Sequence, residues 1–416
     1  MSRMGLISLC CELVMLLPLV AVNLPGQDQI SKQGQISKQA HDLHFRSLVV
    51  DTHDDTTQRL LDPAFDIGVR HTDGNVDIPR MREGGLGALF FSIYIPGTIT
   101  GGEAVKQALD QIDAVRQAVA KHPKDLALAR TADEVRTAHL TGQIAALMGV
   151  EGGHMIADDL GVLRIYAALG VRYMTLTHMV NTDWADSSTD KPAHNGLTDF
   201  GKQVVREMNR QGIIVDVSHV ADKTFWDALA VSEAPMIASH SSCRALCDAP
   251  RNMTDDMIRA LAQKGGVIQI NFHVGFLSQK FRDAELAHPE IEKEINAEVD
   301  KRCGTKPGCN EIETNKLVHE MMASGKLPRV DWTEIVEHID HAVKVAGADH
   351  VGLGSDFDGA EMPFGMEDAS HLPQITDALL KKGYSPNDIQ KILGGNTLRV
   401  LEAAETTAKR LQGEKP

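Results

Sequence analysis

His53 and Asp55 close the run SLVVDTHDD (47–55), an apolar and strand-like segment. Residues two apart on an extended chain point to one side. The imidazole and the carboxylate therefore converge, a donor mix suited to zinc and its neighbours. The pattern recurs along the chain. Glu151 closes IAALMGVEG (144–152), His178 closes VRYMTLTH (171–178), His219 closes GIIVDVSH (212–219) and His240 closes APMIASH (234–240). HVGLGSDFDG (350–359) carries Asp356 and Asp358. The donors His53, Asp55, Glu151, His219 and His240 outnumber the three protein ligands of one open catalytic zinc. Glu151 lies between the two halves of this set and has two oxygens with which to bridge two cations. Two ions sharing a water lower its pKa and polarise a carbonyl. The pattern thus implies two Zn2+ per chain, Asp356 as the group that takes the water's proton, and His178 as a residue that binds or polarises the substrate.

These tips need a scaffold that gathers them. GLGALFFSIYI (85–95) and GGVIQINF (265–272) complete a set of eight strand-like runs. Amphipathic helical stretches such as 103–122 and 197–212 alternate with them. Eight such β-then-α units predict a (βα)8 TIM-type barrel, whose strand C-termini open onto one face. The competing architecture, a doubly wound open sheet, lacks its mark, since no G-x-G-x-x-G follows the first strand. Residues 278–328, between the seventh and eighth strands, are long for a βα connection and helical in pattern. They are expected to be a helical insertion, either a lid or a surface elaboration.

The formal charge of −15 argues against nucleic acid as a partner, because phosphate binding needs a basic face. Met4–Val22 is almost unbroken in apolar character, and low-complexity polar residues follow. This reads as a signal peptide over 1–22, a flexible linker over 23–43 and one catalytic barrel over 44–416 in an exported protein. Glu12 disfavours the competing reading of the run as a retained membrane anchor. Cys303 and Cys309 bracket GTKPG, a turn-forming stretch that suits a local disulfide. Cys243 and Cys247 read as structural. Trp184 and Asp186 are candidates to line the pocket, His154 to support it, and His338 reads as solvated along with seven other histidines.

With these residues in place the chain resembles the membrane dipeptidase (renal dipeptidase) family of zinc peptidases. The likeness runs from about residue 44 to 405 and rests on VVDTHDD, VDIPRMREGGLGALFFSIYIP, GVEGGH, RYMTLTHMVNTDWADSS, GLTDFGKQVVREMNRQGIIVDVSH, SHSSCRALCDAPRNMTDD and VGLGSDFDG. The resemblance implies a binuclear zinc barrel that cleaves dipeptides. His53 and Asp55 would hold the first zinc, Glu151 would bridge, and His219 and His240 would hold the second. His178 would contact the substrate near the scissile bond. Arg251, in PRNM, would hold the substrate's C-terminal carboxylate, and Asp356 would shuttle the proton. Asp54, Phe91 and His273 stand where the family usually has Asn, Trp and Tyr, which bears on side-chain preference and not on the reaction.

The reading is thus a zinc-dependent dipeptidase. Its rivals are a related amidohydrolase acting on lactones, β-lactams or N-acyl amino acids, and a non-catalytic binding barrel. The fold alone does not separate these. Arg251 favours a substrate with a free carboxylate, and no metal donor is missing, as it would be in a barrel that only binds. Homodimer formation and membrane association through an uncleaved N-terminus are left open by the sequence.

Overall fold

The computed structural model describes residues 36–413. The expected leader over 1–22 and residues 23–35 of the expected linker lie outside them. Residues 38–46 extend the fold upstream of position 44: Lys38–Arg46 is a helix capped by the Ser37 side chain, and it buries Ala40, Leu43 and His44. Ser37 is itself anchored, through its backbone N–H and its hydroxyl, on Asp377.

Nine parallel strands form the sheet. They are β1 (Val49–Asp54), β2 (Leu86–Tyr94), β3 (Leu126–Leu128), β4 (Ile144–Glu151), β5 (Val171–Thr175), β6 (Ile214–Asp216), β7 (Ile237–Ala238), β8 (Val267–Ile270) and β9 (Val351–Leu353). The order runs β2-β1-β9-β8-β7-β6-β5-β4, and β2 pairs with β4 to close an eight-stranded barrel. The eight expected strands are these eight. β3 was not anticipated, because three residues are too few to show a period of two. It pairs with Ile144–Ala146 at the start of β4, while β5 pairs from Met148 onward. Every residue of β1 and β4 is buried, as expected of parallel strands covered by helices outside and side chains inside.

The helices begin and end where local chemistry directs. Asp199–Gln211 starts after Thr198, whose hydroxyl accepts from Gly201 N–H, and ends at Gly212 in the left-handed conformation. Asp255–Gln263 starts the same way after Thr254. The 278–328 stretch is helical as expected, over Gln279–Ala287, Pro289–Cys303 and Cys309–Ser324. Cys303 and Cys309 are joined in a disulfide.

Val50, Phe90, Leu147, Tyr173, Ile214, Ile237 and Val267 pack in one cluster of buried strand residues. A Cβ on Gly149 would come within 1.9 Å of the Tyr173 ring. This bare spot on β4 lets the tyrosine lie against the strand and reach His53.

His338 is not solvated. It is 1 % exposed, accepts from Cys243 N–H through Nδ1, and meets the Leu277 carbonyl through Nε2. An amphipathic pattern places a residue on a face but does not say what covers that face. Burial pushes His338 down to about 4, and it does the same to His44 at the N-terminal helix. The unfolded chain takes up these two protons near the ordinary histidine value and the folded chain only near 4. Their stabilisation is therefore complete above the unfolded value and is lost as pH falls toward 4. Each contributes a slope of about 1.4 kcal/mol per pH unit in that window. Urea unfolding between about pH 7 and pH 5 should show His338→Gln starting less stable than wild type, and then losing stability more slowly by about that slope. Parallel curves would mean that folding leaves the pKa of His338 unshifted.

Candidate metal centre

The barrel brings the predicted residues to one mouth. Asp55, Glu151, His178, His219, His240, Arg251 and Asp356 all line a cavity of about 270 Å3. His53 is fully buried at its floor, with Nε2 3.4 Å from Glu151 Oε2 and 3.5 Å from Asp55 Oδ2. On the other side of the same carboxylate, Glu151 Oε1 lies 3.0 Å from His219 Nε2 and 3.1 Å from His240 Nε2. The two oxygens of Glu151 thus face different halves of the donor set. Three donor groups, each within 4.8 Å, are His53–Glu151–His240, Glu151–His178–His219 and His53–Asp55–Asp356.

This donor set fits divalent cations. His219 Nε2 and His240 Nε2 are 2.9 Å apart. Burial drives both imidazoles below the ordinary histidine range, so both are neutral and two ring nitrogens converge beside one carboxylate oxygen. A cation relieves that convergence. His53 Nε2 and Asp55 Oδ1 are buried without a hydrogen-bond partner among the described residues. Ligation requires neutral imidazoles and ionised carboxylates. His219 and His240 are already neutral. Tyr173, Glu151 and Asp55 outweigh burial to hold His53 well above its ordinary value, and burial pushes Asp55 up to about 7. A cation bound beside them would displace those protons. Burial favours a protonated Glu151, but the pull of the surrounding imidazoles, His53 first, outweighs it and holds the carboxyl well below its usual range.

A further layer orients these groups. Tyr173 Oη is 2.8 Å from His53 Nδ1, which leaves Nε2 aimed at the cavity. Ser239 Oγ is 2.8 Å from His240 Nδ1 and donates to Asp216 at 2.6 Å. Asp216 also accepts from the Ser218 and Ser239 backbone N–H groups, tying β6 to β7. Asp51 does the same for β1 and β9 by accepting from His53 and Ser355 N–H. Such partners fix tautomer and ring orientation. Sequence reading missed Tyr173, Ser239, Asp216 and Asn271. A carboxylate inside an apolar strand, as in VVDTH and IIVDVSH, was the available signal for the two aspartates.

His178 stands near the donors without joining the tightest contacts, with Nε2 3.8 Å from Glu151 Oε1. Burial lowers it to about 4, leaving a neutral imidazole. Asp356 sits at φ 65° and accepts from Asn271 Nδ2 at 2.8 Å through Oδ2. Arg251 is 5 % exposed, donates to the His240 carbonyl at 3.1 Å and lies over the Phe276 ring, while its Nε has no partner among the described residues. Asp255 and Asp256 pair instead with Arg259 and His341, so they do not occupy the Arg251 guanidinium.

Other candidates fall elsewhere. Asp358 turns away to hold Thr56 Oγ1 and Asn75 N–H. Trp184 is buried, and Asp186 accepts from three backbone N–H groups of the 193–196 loop, so neither lines the cavity. His154 is buried beside Gly152, where an added Cβ would meet its ring at 2.6 Å and His178 Cβ at 3.5 Å. Asp54 accepts from Thr56 N–H and closes a local turn. His273 does reach the cavity, with Nδ1 2.7 Å from Glu361. Glu361 and Glu311, which no strand-end pattern reveals, line it too.

The chain is similar to known proteins over most of its length. Residues 37–415 match the family model described as membrane dipeptidase, peptidase family M19. Dipeptidase 3 of Mus musculus is 33 % identical over 358 residues, covering 84 % of this chain, and the chain spans 62 % of that relative's length. The crystal structure of the probable dipeptidase PvdM from Pseudomonas aeruginosa superposes with a TM-score of 0.75 at 28 % identity, covering 89 % of this chain and 98 % of that one. A metallo peptidase from Rhodobacter sphaeroides, crystallised with a phosphinate mimic of the dipeptide L-Ala-D-Ala, superposes with a TM-score of 0.71 at 26 % identity, covering 86 % of this chain and 99 % of that one. With a family model matched over nearly the whole described fold, the chain belongs to the membrane dipeptidase family, peptidase family M19.

Proposed function

We propose that this chain is a zinc-dependent dipeptidase that hydrolyses dipeptides carrying a free C-terminal carboxylate, with two zinc ions per chain. The observation that carries this is one cavity holding both the donor cluster around Glu151 and the buried Arg251 guanidinium. The dipeptide mimic bound by the Rhodobacter sphaeroides relative supports the substrate class. His53 and Asp55 would hold one ion, His219 and His240 the other, and Glu151 would bridge them. Bound there, the ions would supply Lewis acidity toward a carbonyl oxygen and lower the pKa of a water.

The chain's own residues do the rest. Arg251 presents a guanidinium fork that matches a carboxylate in two parallel hydrogen bonds. Burial brings its pKa down to about 10, still well above neutral pH, so it stays cationic. His178, neutral, has a ring N–H to offer the substrate at the scissile bond. Asp356 accepts the proton of the attacking water and passes it to the leaving amine. Tyr173 and the Ser239–Asp216 pair keep the imidazoles aimed. The Cys303–Cys309 disulfide supports a working place outside the cytoplasm. Among the described residues no helix is long and apolar enough to cross a membrane.

Metal analysis after gentle purification should find close to two divalent ions per chain, mainly zinc. A dicarboxylate chelator should remove them together with release of amino acids from a dipeptide panel, and added zinc should restore both. Full activity at one ion per chain would overturn the binuclear reading. Metal-replete protein inert toward every dipeptide would overturn the substrate class.

A further inference from the structure

The cavity has two unlike walls. In the closed ring β2-β4-β5-β6-β7-β8-β9-β1, β2 and β7 stand four places apart, across the mouth from each other. Arg251 lies beyond the end of β7 and contacts the His240 carbonyl. Tyr94 ends β2 and lines the opposite wall with Gln58. Beside them, from outside the barrel, comes Glu311.

Glu311 belongs to the 278–328 insertion, in the first turn of the helix Cys309–Ser324. The insertion presses onto the short helix after β1. A Cβ on Gly308 would lie 2.8 Å from Arg59 Cγ and 3.0 Å from Arg59 N, and Gly308 takes φ +64°. The disulfide to Cys303 leaves from Cys309, two residues before Glu311. The carboxylate is therefore held on the β1–β2 side by a rigid base. Among the described residues no cation pairs with it, and only its own backbone N–H favours the charged carboxylate against burial and Asp358. Burial, Glu151 and Asp55 push the Tyr94 hydroxyl up, and Glu311 adds a smaller push. A half-buried carboxylate without a partner is costly, and a ligand cation offsets that cost.

A cavity of about 270 Å3 lies just below the size usual for drug-like ligands, which suits a small substrate. A dipeptide is a zwitterion whose two charged ends lie at most about 7 Å apart. With its carboxylate on Arg251, its ammonium points toward the β1–β2 wall.

We propose that Glu311 accepts the substrate's free N-terminal ammonium, so that the helical insertion makes this site choose unacylated dipeptides over N-acyl amino acids. This rests on the dipeptidase reading and deepens it. The insertion then acts as neither a remote elaboration nor a simple cover. It gives that side of the pocket a carboxylate that is not one of the metal donors.

The test compares L-Ala-L-Ala and L-Ala-D-Ala with propionyl-alanine, which has the same skeleton without the amine. Propionyl-alanine is read through its inhibition constant, so its own turnover is not needed. Glu311→Gln should lower kcat/KM for the better dipeptide by roughly 10- to 150-fold, chiefly through KM, the range expected for one charge-assisted hydrogen bond. The inhibition constant of propionyl-alanine and the metal content should stay unchanged. Glu311→Asp, which keeps the charge on a shorter arm, should recover part of the loss. An unchanged KM, or equal weakening of dipeptide and propionyl-alanine, would overturn the role of Glu311 while leaving the dipeptidase reading intact. A metal-replete wild type inert toward all dipeptides would overturn that reading first, and this inference with it.

Discussion

Replacing His219 or His240 by alanine is expected to reduce dipeptide turnover to background and to release metal. Each imidazole places Nε2 within about 3 Å of Glu151 Oε1, and the two are 2.9 Å from each other. Deleting either ring removes a donor from the centre of the cluster. Loss of a partner that merely orients a ligand typically costs 10–100-fold in affinity or activity, so loss of the donor itself should exceed that. The nearest spare nitrogen, on His178, already lies 3.8 Å from the same oxygen and belongs to a different backbone segment. Metal analysis and kcat on one preparation provide the check. Each alanine variant should lose close to one ion per chain, and zinc added in excess should restore little activity. Near-normal turnover in either variant would show that the second ion, if bound, is held elsewhere. His240→Ala should be the more disruptive, because Ser239 and Asp216 are arranged around its ring.

Asp356→Asn is expected to keep both metals and lose about 10²–10⁴-fold in kcat, the usual scale of general acid–base catalysis. The substitution is nearly isosteric, and asparagine tolerates the left-handed backbone at φ 65° better than most residues. Asn271 Nδ2 donates to one aspartate oxygen at 2.8 Å. In the variant the amide oxygen would take that bond, which turns the amide NH2 toward the cavity. An NH2 there cannot accept a proton from the attacking water. The measurement is kcat alongside metal content and melting temperature. A variant with full metal, unchanged melting and normal kcat would remove Asp356 from the mechanism.

Much of this protein is legible from local pattern. Strand runs and helical periods alternate eight times, and parallel barrels place strand C-termini on one face. Donors at those tips could therefore be gathered without coordinates. His53 and Asp55 obey the alternation rule that pairs them. The same rule fails past the end of β9. Asp356 and Asp358 are also two apart, but both lie beyond β9 at positive φ, 65° and 60°. There the backbone is no longer extended, and one carboxylate enters the cavity while the other braces Thr56 and Asn75.

What the sequence by itself determined is the set of tips, because period-two and period-3.6 patterns are local properties of the chain. It also determined the likeness to the family, through blocks spread along that frame. What only the tertiary structure decided is which distant groups meet. Tyr173 reaches His53 across 120 positions because Gly149 leaves room for its ring. Ser239 links His240 to Asp216 because β6 and β7 are neighbours. His338 is buried because the Cys243 and Leu277 backbones close over it. Glu311 faces the cavity because an insertion, braced internally by the Cys303–Cys309 disulfide, packs at Gly308 against Arg59 after β1. Each of these depends on closing loops of tens to hundreds of residues, and no local period encodes which groups such closure brings together.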